Sequence, residues 1–186
     1  MTVAGPDGQP RCSWATSAPE YIQYHDEEWG REIRDDHGLF ERMTLEGFQS
    51  GLSWITILRK RENFRKAFDN FDPRLIAAYG PEDFDRLMAD PGIVRNRLKV
   101  NATISNARAL LELADGELTE FLWSFQPIDR AAPKTSADVP ATTPESIAMS
   151  KALKKKGFVF VGPTTAYALM QATGIVNDHL ADCIAR

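Results

Sequence analysis

Cysteine is nearly absent from this 186-residue chain: it occurs twice, as Cys12 and Cys183, close to opposite ends. Two thiols exclude a disulfide-stapled scaffold. With no sign of export they point to reduced thiols in a cytoplasm, a single clasp between the ends being the other possibility. Also missing is any apolar run as long as a membrane span. Met1 to Pro10 lack the basic head and apolar stretch of a secretion signal, and a leader rich in Gly and Pro is expected to be a loose tail. Positive charge is not in excess either. A net charge of -4 argues mildly against a nucleic-acid partner unless basic residues cluster locally. What remains is ordinary for a globular protein: 43% hydrophobic and 26% charged residues, with enough chain from residue 11 to 186 for one domain and one core.

Helix punctuation recurs along the chain. Ser17-Ala18-Pro19-Glu20 has capping-box form and opens a helix that carries Tyr21, Tyr24, His25 and Trp29 to a stop at Gly30. Asp35-Asp36 caps a second, with Leu39, Met43, Gly47 and Phe48 at helical spacing. Ser53 is placed to cap a third, from Trp54 to about Asn70. Asp72-Pro73 and Pro81-Glu82-Asp83 open two short ones. The turn at Asp90-Pro91-Gly92 then feeds a longer helix through Leu113, and Gly116 to Phe125 forms another. Gln126 to Pro140 reads as a surface loop. Thr142-Thr143-Pro144-Glu145 again has capping-box spacing and opens a helix that stops at Gly157, Pro163 to Gly174 is helical, and a last helix is expected to carry His179 and Cys183. Only Phe158 to Val161 reads as extended. The predicted fold class is all-α, with about nine helices and no internal repeat.

Three constellations carry chemistry. The stretch Leu45 to Trp54 sets one carboxylate, Glu46, on an otherwise apolar helix face, just before a Gly-Leu-Ser break. Burying a carboxylate is costly unless something pairs with it. Either a backbone amide or an Arg satisfies Glu46, or Glu46 and the Trp54 ring face one pocket; the aromatic stripe of Tyr21, Tyr24 and Trp29 is likewise core or pocket wall. Next, a short helix, a Pro-Gly turn at Gly92 and a helix starting with Arg95, Arg97 and Lys99 suggest a helix-hairpin-helix, whose amides hold a DNA phosphate, although such turns also occur between plain packed helices. Last, both cysteines and two of the three histidines, Cys12, His25, His179 and Cys183, make a complete tetrahedral donor set for Zn²⁺. Such a site is closed and structural; the other reading is two buried thiols and two hydrogen-bonded imidazoles.

Taken together, several stretches resemble the bacterial 3-methyladenine DNA glycosylase I family. They are Arg11-Cys12-Ser13-Trp14, Tyr21 to Gly30, Leu45 to Arg61, Gly92 to Arg97, Phe121 to Phe125, Ser150 to Phe158, and Tyr167 to His179, in the family's order. The resemblance implies a helix-hairpin-helix glycosylase fold with a zinc clasp on Cys12, His25, His179 and Cys183. It implies that Glu46, Tyr24 and Trp54 form the base pocket, with Tyr21, Trp14 and Trp29 lining or supporting it. The implied reaction is hydrolysis of the N-glycosidic bond of 3-methyladenine in alkylated double-stranded DNA, releasing the free base and leaving an abasic site without strand cleavage. The larger superfamily generally uses an Asp after the hairpin; here only Asp115 lies in that region, and the resemblance is to the branch that does without it. Ala168 stands where a small hydroxyl residue is expected, and the chain ends three residues after Cys183, short of the tail often seen.

That activity suits the residues. Alkylation makes the purine cationic and a good leaving group, so the protein must find, extract and select it. Trp54 and Tyr24 can stack on a cationic ring, and Glu46 can accept hydrogen bonds from its N–H groups. Gly92, Arg95, Arg97 and Lys99 would grip the backbone, and Leu52 is a candidate wedge for the vacated space, plain packing being its other role. A monomer acting in the cytoplasm is expected. The competing reading is a non-catalytic, zinc-clasped DNA-binding module.

Overall fold

In the computed structural model, which describes residues 1–186, nine α-helices follow one another: α1 Pro19–Glu27, α2 Asp36–Gln49, α3 Trp54–Ala67, α4 Pro73–Ala77, α5 Pro81–Ala89, α6 Arg97–Leu111, α7 Glu117–Trp123, α8 Pro144–Lys155 and α9 Pro163–Ala172. Their starts follow cap chemistry. Asp35 accepts from the Gly38 amide at 2.7 Å to open α2, and Asn96 accepts from Leu98 and Lys99 at 3.0 and 3.1 Å to open α6. Thr143, one residue after the Thr142 that the capping-box spacing indicates, does the same for α8, accepting from Ser146 at 3.2 Å. Ser17 and Ser53 do not cap as expected. Ala18, not Ser17, occupies the cap of α1 and makes no side-chain bond, because Pro19 already fixes the first turn. The Ser53 hydroxyl meets the Thr56 hydroxyl at 2.9 Å instead of a free amide.

The second helix is the axis of the fold. It buries Leu39, Phe40, Met43, Leu45 and Phe48 and packs against α3, α6, α7 and α9. Phe48 meets Phe64 at 4.7 Å between ring centroids, and Phe64, Phe68 and Phe71 continue the cluster. Such fully buried aromatic pairs add to the area they remove from water. No helix is long and apolar enough to cross a membrane.

Three segments depart from the sequence reading. Residues 1–10 are not a loose tail: Thr2–Ala4 (β1) and Pro10–Cys12 (β2) pair as an antiparallel ribbon. The buried Arg11 guanidinium holds it, bonding Asp7 at 2.6 and 2.8 Å within the ribbon and Asp26 of α1 at 2.7 Å. Residues 158–161 form no strand. Asn106 clamps Val159 through both backbone groups (2.8 and 3.0 Å), Ser150 holds the Val161 carbonyl at 2.6 Å, and Phe160 takes a left-handed φ of 61°. Finally, no helix carries His179 and Cys183. The Asn177 side chain accepts from the His179 amide at 3.1 Å, and isolated bonds such as Cys183 N–H to Leu180 (2.9 Å) follow, so local side-chain bonding displaces the helix ladder.

Candidate active site and metal centre

The C-terminal half of α2 aims Glu46 into a cavity of about 280 Å³. Its walls come from separate places: Trp14 from a single 3₁₀ turn, Tyr21 and Tyr24 from α1, Trp29 just beyond it, Trp54 at the start of α3, and Ala168 and Gln171 from α9. Every pocket residue expected from the sequence is therefore at this one cavity. Tyr24 and Trp54 lie 5.4 Å apart at 39°, and Trp14 stands edge-on to Tyr21 (5.4 Å) and Trp29 (5.1 Å).

Glu46 is only 5% exposed. Burial pushes its carboxyl up to about 7, against a smaller through-space pull from Arg42; no hydrogen bond contributes. It is not locked to an arginine. Arg42 spends its donors elsewhere, on the Tyr24 hydroxyl (3.2 Å) and Glu28 (3.4 Å), and Arg61 joins Glu28 at 2.9 Å. Burial works against the Glu28 carboxylate, but the two arginines outweigh it and hold it below the usual range. Since the Tyr24 hydroxyl accepts from Arg42, its own proton is free for another partner, and burial keeps that proton on. Sequence reasoning missed Arg42, Gln49 and Gln171. The signal for Arg42 was present: four residues before Glu46, it shares that helix face.

The second cluster lies beside the cavity. Cys12, His25, His179 and Cys183 are all buried, and their ligand atoms lie within 4.8 Å of one another, a group that can hold a metal ion. His25 Nε2 and His179 Nδ1 are 3.1 Å apart; Cys183 Sγ is 3.3 and 3.6 Å from these nitrogens, and Cys12 Sγ is 3.9 Å from His179 Nδ1. The outer nitrogens are taken: His25 Nδ1 by Asp26 at 2.7 Å and His179 Nε2 by the Trp29 carbonyl at 2.8 Å. A carbonyl only accepts, so His179 carries its proton on Nε2 and turns a lone pair inward. Burial pushes the Cys12 thiol up to about 12 and the His179 imidazole down to about 4, so both are neutral unless a cation sits among them. Gly30 is required here, with φ of +78° and no room for a Cβ, which would come within 3.1 Å of the His179 ring.

The turn between α5 and α6 divides the basic residues. Arg95 and Arg97 are exposed. Lys99 is not: it is 7% exposed, and its ammonium donates to the Phe48 and Ser50 carbonyls at 2.7 and 2.6 Å, capping the end of α2. The structure removes it from the phosphate-gripping set, because its charge is spent inside. The Gly92 amide is also taken, by Asp90 at 2.7 Å, while those of Ile93, Val94 and Arg95 donate to no protein group. Leu52 is 40% exposed at the α2–α3 corner, where the Gln49 amide donates to its carbonyl at 2.8 Å. Asp115 lies outside α6 in a separate polar cleft with Asp36 and Asp72.

A family model described as methyladenine glycosylase matches residues 14–186. The chain belongs to the methyladenine glycosylase family. Among its relatives, DNA-3-methyladenine glycosylase 1 of Escherichia coli K12 is 51% identical over 178 residues, covering 93% of this chain and 95% of the relative. The DNA-3-methyladenine glycosylase of Haemophilus influenzae is 48% identical, covering 93% and 96%. A crystal structure of 3-methyladenine DNA glycosylase I superposes with a TM-score of 0.89 at 48% identity, covering 95% and 99% of the two chains. A Staphylococcus aureus structure described as the basis of 3-methyladenine recognition matches at 0.88 and 36% identity, covering 94% and 95%. The family thus keeps this helical arrangement across sequences that differ at half or more of their positions.

Proposed function

We propose that this chain is a DNA-3-methyladenine glycosylase, a base-excision repair hydrolase that releases the alkylated purine from double-stranded DNA and leaves an abasic site. One observation carries the reading: in a member of this family, Glu46 is buried in an aromatic-walled cavity with no protein partner of its own. A carboxylate so placed waits for a donor that arrives with the ligand.

A purine methylated at N3 is cationic. Its entry into the cavity offsets the desolvation of Glu46 and draws on the faces of Tyr24 and Trp54 by roughly 0.5–2 kcal/mol. Neutral adenine brings no such compensation and is more tightly held in the duplex. The bond between C1′ and N9 breaks with its electron pair passing to the purine, which leaves neutral. Water adds its oxygen to C1′ and gives up a proton. Glu46 accepts N–H bonds from the base and balances positive charge through that separation. Tyr24, held by Arg42, offers its hydroxyl proton to the base, and Tyr21, Trp14 and Trp29 shape the slot and keep water out. No lysine lines the cavity, so hydrolysis without strand cleavage is the expected outcome.

DNA docking rests on the α5–α6 segment read as a helix-hairpin-helix. The free amides of Ile93, Val94 and Arg95 would take a phosphate, with Arg95 and Arg97 adding charge and Gly92 shaping the turn. Leu52 is the wedge. The Cys-His-His-Cys group suits one zinc ion: bonds of about 2.3 Å to sulfur and about 2.0 Å to nitrogen would set tetrahedral edges of about 3.3 Å (N···N) and about 3.5 Å (S···N). The observed 3.1 Å, and 3.3, 3.6 and 3.9 Å, match. Cys12, His25, His179 and Cys183 would hold the ion with protein ligands alone, and its contribution there would be structural, tying the N-terminal ribbon to the C-terminal turns. The enzyme acts as a cytoplasmic monomer. The test is to incubate methylated duplex with the protein and chromatograph the released bases; the reading stands on free 3-methyladenine, and its absence would leave only a lesion-binding module.

A further inference from the structure

Behind the base cavity lies a polar network that the mechanism above does not use. Asp178 is buried, 2% exposed, and paired with Arg130 at 2.7 Å. The Tyr167 hydroxyl donates to its second oxygen at 2.5 Å, and Arg130 also reaches that hydroxyl. The same oxygen receives the Gln171 side-chain N–H₂ at 2.9 Å. A buried ion pair is weak evidence for stability, and its retention calls for another reason.

Gln171 supplies one, because it also lines the cavity, one helical turn beyond Ala168 on the same face of α9. An amide beside a carboxylate must present its nitrogen to it, so the flip is fixed by chemistry. The Gln171 carbonyl oxygen then points away from Asp178 and makes no bond to the protein. Gln49 is committed in the same way, its nitrogen given to the Leu52 carbonyl. Each side-chain amide of the cavity thus gives one N–H outward to the protein. What α9 and α2 leave for a ligand are acceptors: the Gln171 and Gln49 oxygens, which accept from no protein group, and the Glu46 carboxylate.

We infer that Gln171, oriented by Asp178, Tyr167 and Arg130, is a specificity residue that accepts a hydrogen bond from the exocyclic amino group of the extruded purine and so selects 6-amino over 6-oxo bases. This rests on the glycosylase reading above. A 6-amino group carries two N–H bonds, and Gln171 and Glu46 stand on different helices of the cavity wall to accept one each. A 6-oxo purine presents lone pairs at that position and meets repulsion. A site built to receive a donor discriminates by roughly 10- to 100-fold against an analogue that lacks it.

The experiment compares wild type with Gln171→Leu, and with Gln171→Met as a second variant of different shape. Single-turnover release of 3-methyladenine and of 3-methylguanine is measured from methylated duplex, beside affinity for a duplex holding an uncleavable abasic analogue. Expected are a loss of about 10- to 100-fold for 3-methyladenine, no loss for 3-methylguanine, whose release holds or rises as the opposing oxygen is removed, and abasic-duplex affinity within about twofold of wild type. Equal loss for both bases, or no loss for either, overturns the inference while the enzyme reading stands. If wild type releases no 3-methyladenine, the reading falls first and takes the inference with it. If Gln171→Leu does not fold, the Gln171→Met ratio decides alone.

Discussion

Replacing Glu46 with Gln should make the protein more stable and less active, and the pH dependence says why. Burial raises the Glu46 carboxyl from an ordinary 4.5 to about 7. Below pH 4.5 the group is protonated in both folded and unfolded chains and costs nothing. Between 4.5 and 7 the unfolded chain releases a proton that the folded chain keeps, so stability falls as pH rises. Above 7 the deficit is constant, and the difference of 2.5 pH units corresponds to about 3 kcal/mol at about 1.4 kcal/mol per unit. Glutamine does not titrate. Urea unfolding of both proteins, followed by circular dichroism from pH 4.5 to 8, should show the variant gaining about 3 kcal/mol relative to wild type across that range, while base release drops by roughly 100-fold. Comparing the two at each pH cancels every other titrating group. A stability difference that stays flat with pH would refute the reasoning, since it would mean that Glu46 is not a desolvated carboxylate in the empty cavity.

Four further outcomes are expected. Excision should rise with pH through about 7, and Arg42→Met, which removes the one attraction lowering the Glu46 value, should move that midpoint upward in a pH–rate profile. Elemental analysis should find one zinc per chain, and Cys183→Ala should lower the melting temperature before it alters turnover per folded molecule. Arg95→Ala and Arg97→Ala should each weaken duplex binding regardless of sequence and reduce the slope of log affinity against log salt by about one. Lys99→Ala should leave that slope unchanged and destabilise the fold instead, since its ammonium bonds two carbonyls at the end of α2.

How much of this could be read beforehand depended on the distance over which the information acts. The capped starts at Asp35 and Asp72 are local, settled by side chains that reach amides two or three residues away, and the apolar spacing around Glu46 is likewise a property of one helix. The Cys/His cluster that can hold a metal ion was legible for a different reason: a chain with two cysteines and three histidines offers few ways to build a closed donor set. The expected helix through His179 failed on a local competition that periodicity does not register, an Asn side chain taking the amide that a ladder would use.

The sequence by itself determined the helices up to Ala172, the candidate donor set and the identity of the buried acid. Tertiary structure alone decided where long side chains spend their charge. Lys99 looks like a phosphate ligand in a basic run, yet it caps carbonyls 49 and 51 residues away; Gln171 looks like an ordinary helix surface residue, yet a carboxylate seven positions on turns its oxygen free. A flexible side chain has several partners within reach of its backbone, and only the packing of neighbouring elements selects among them.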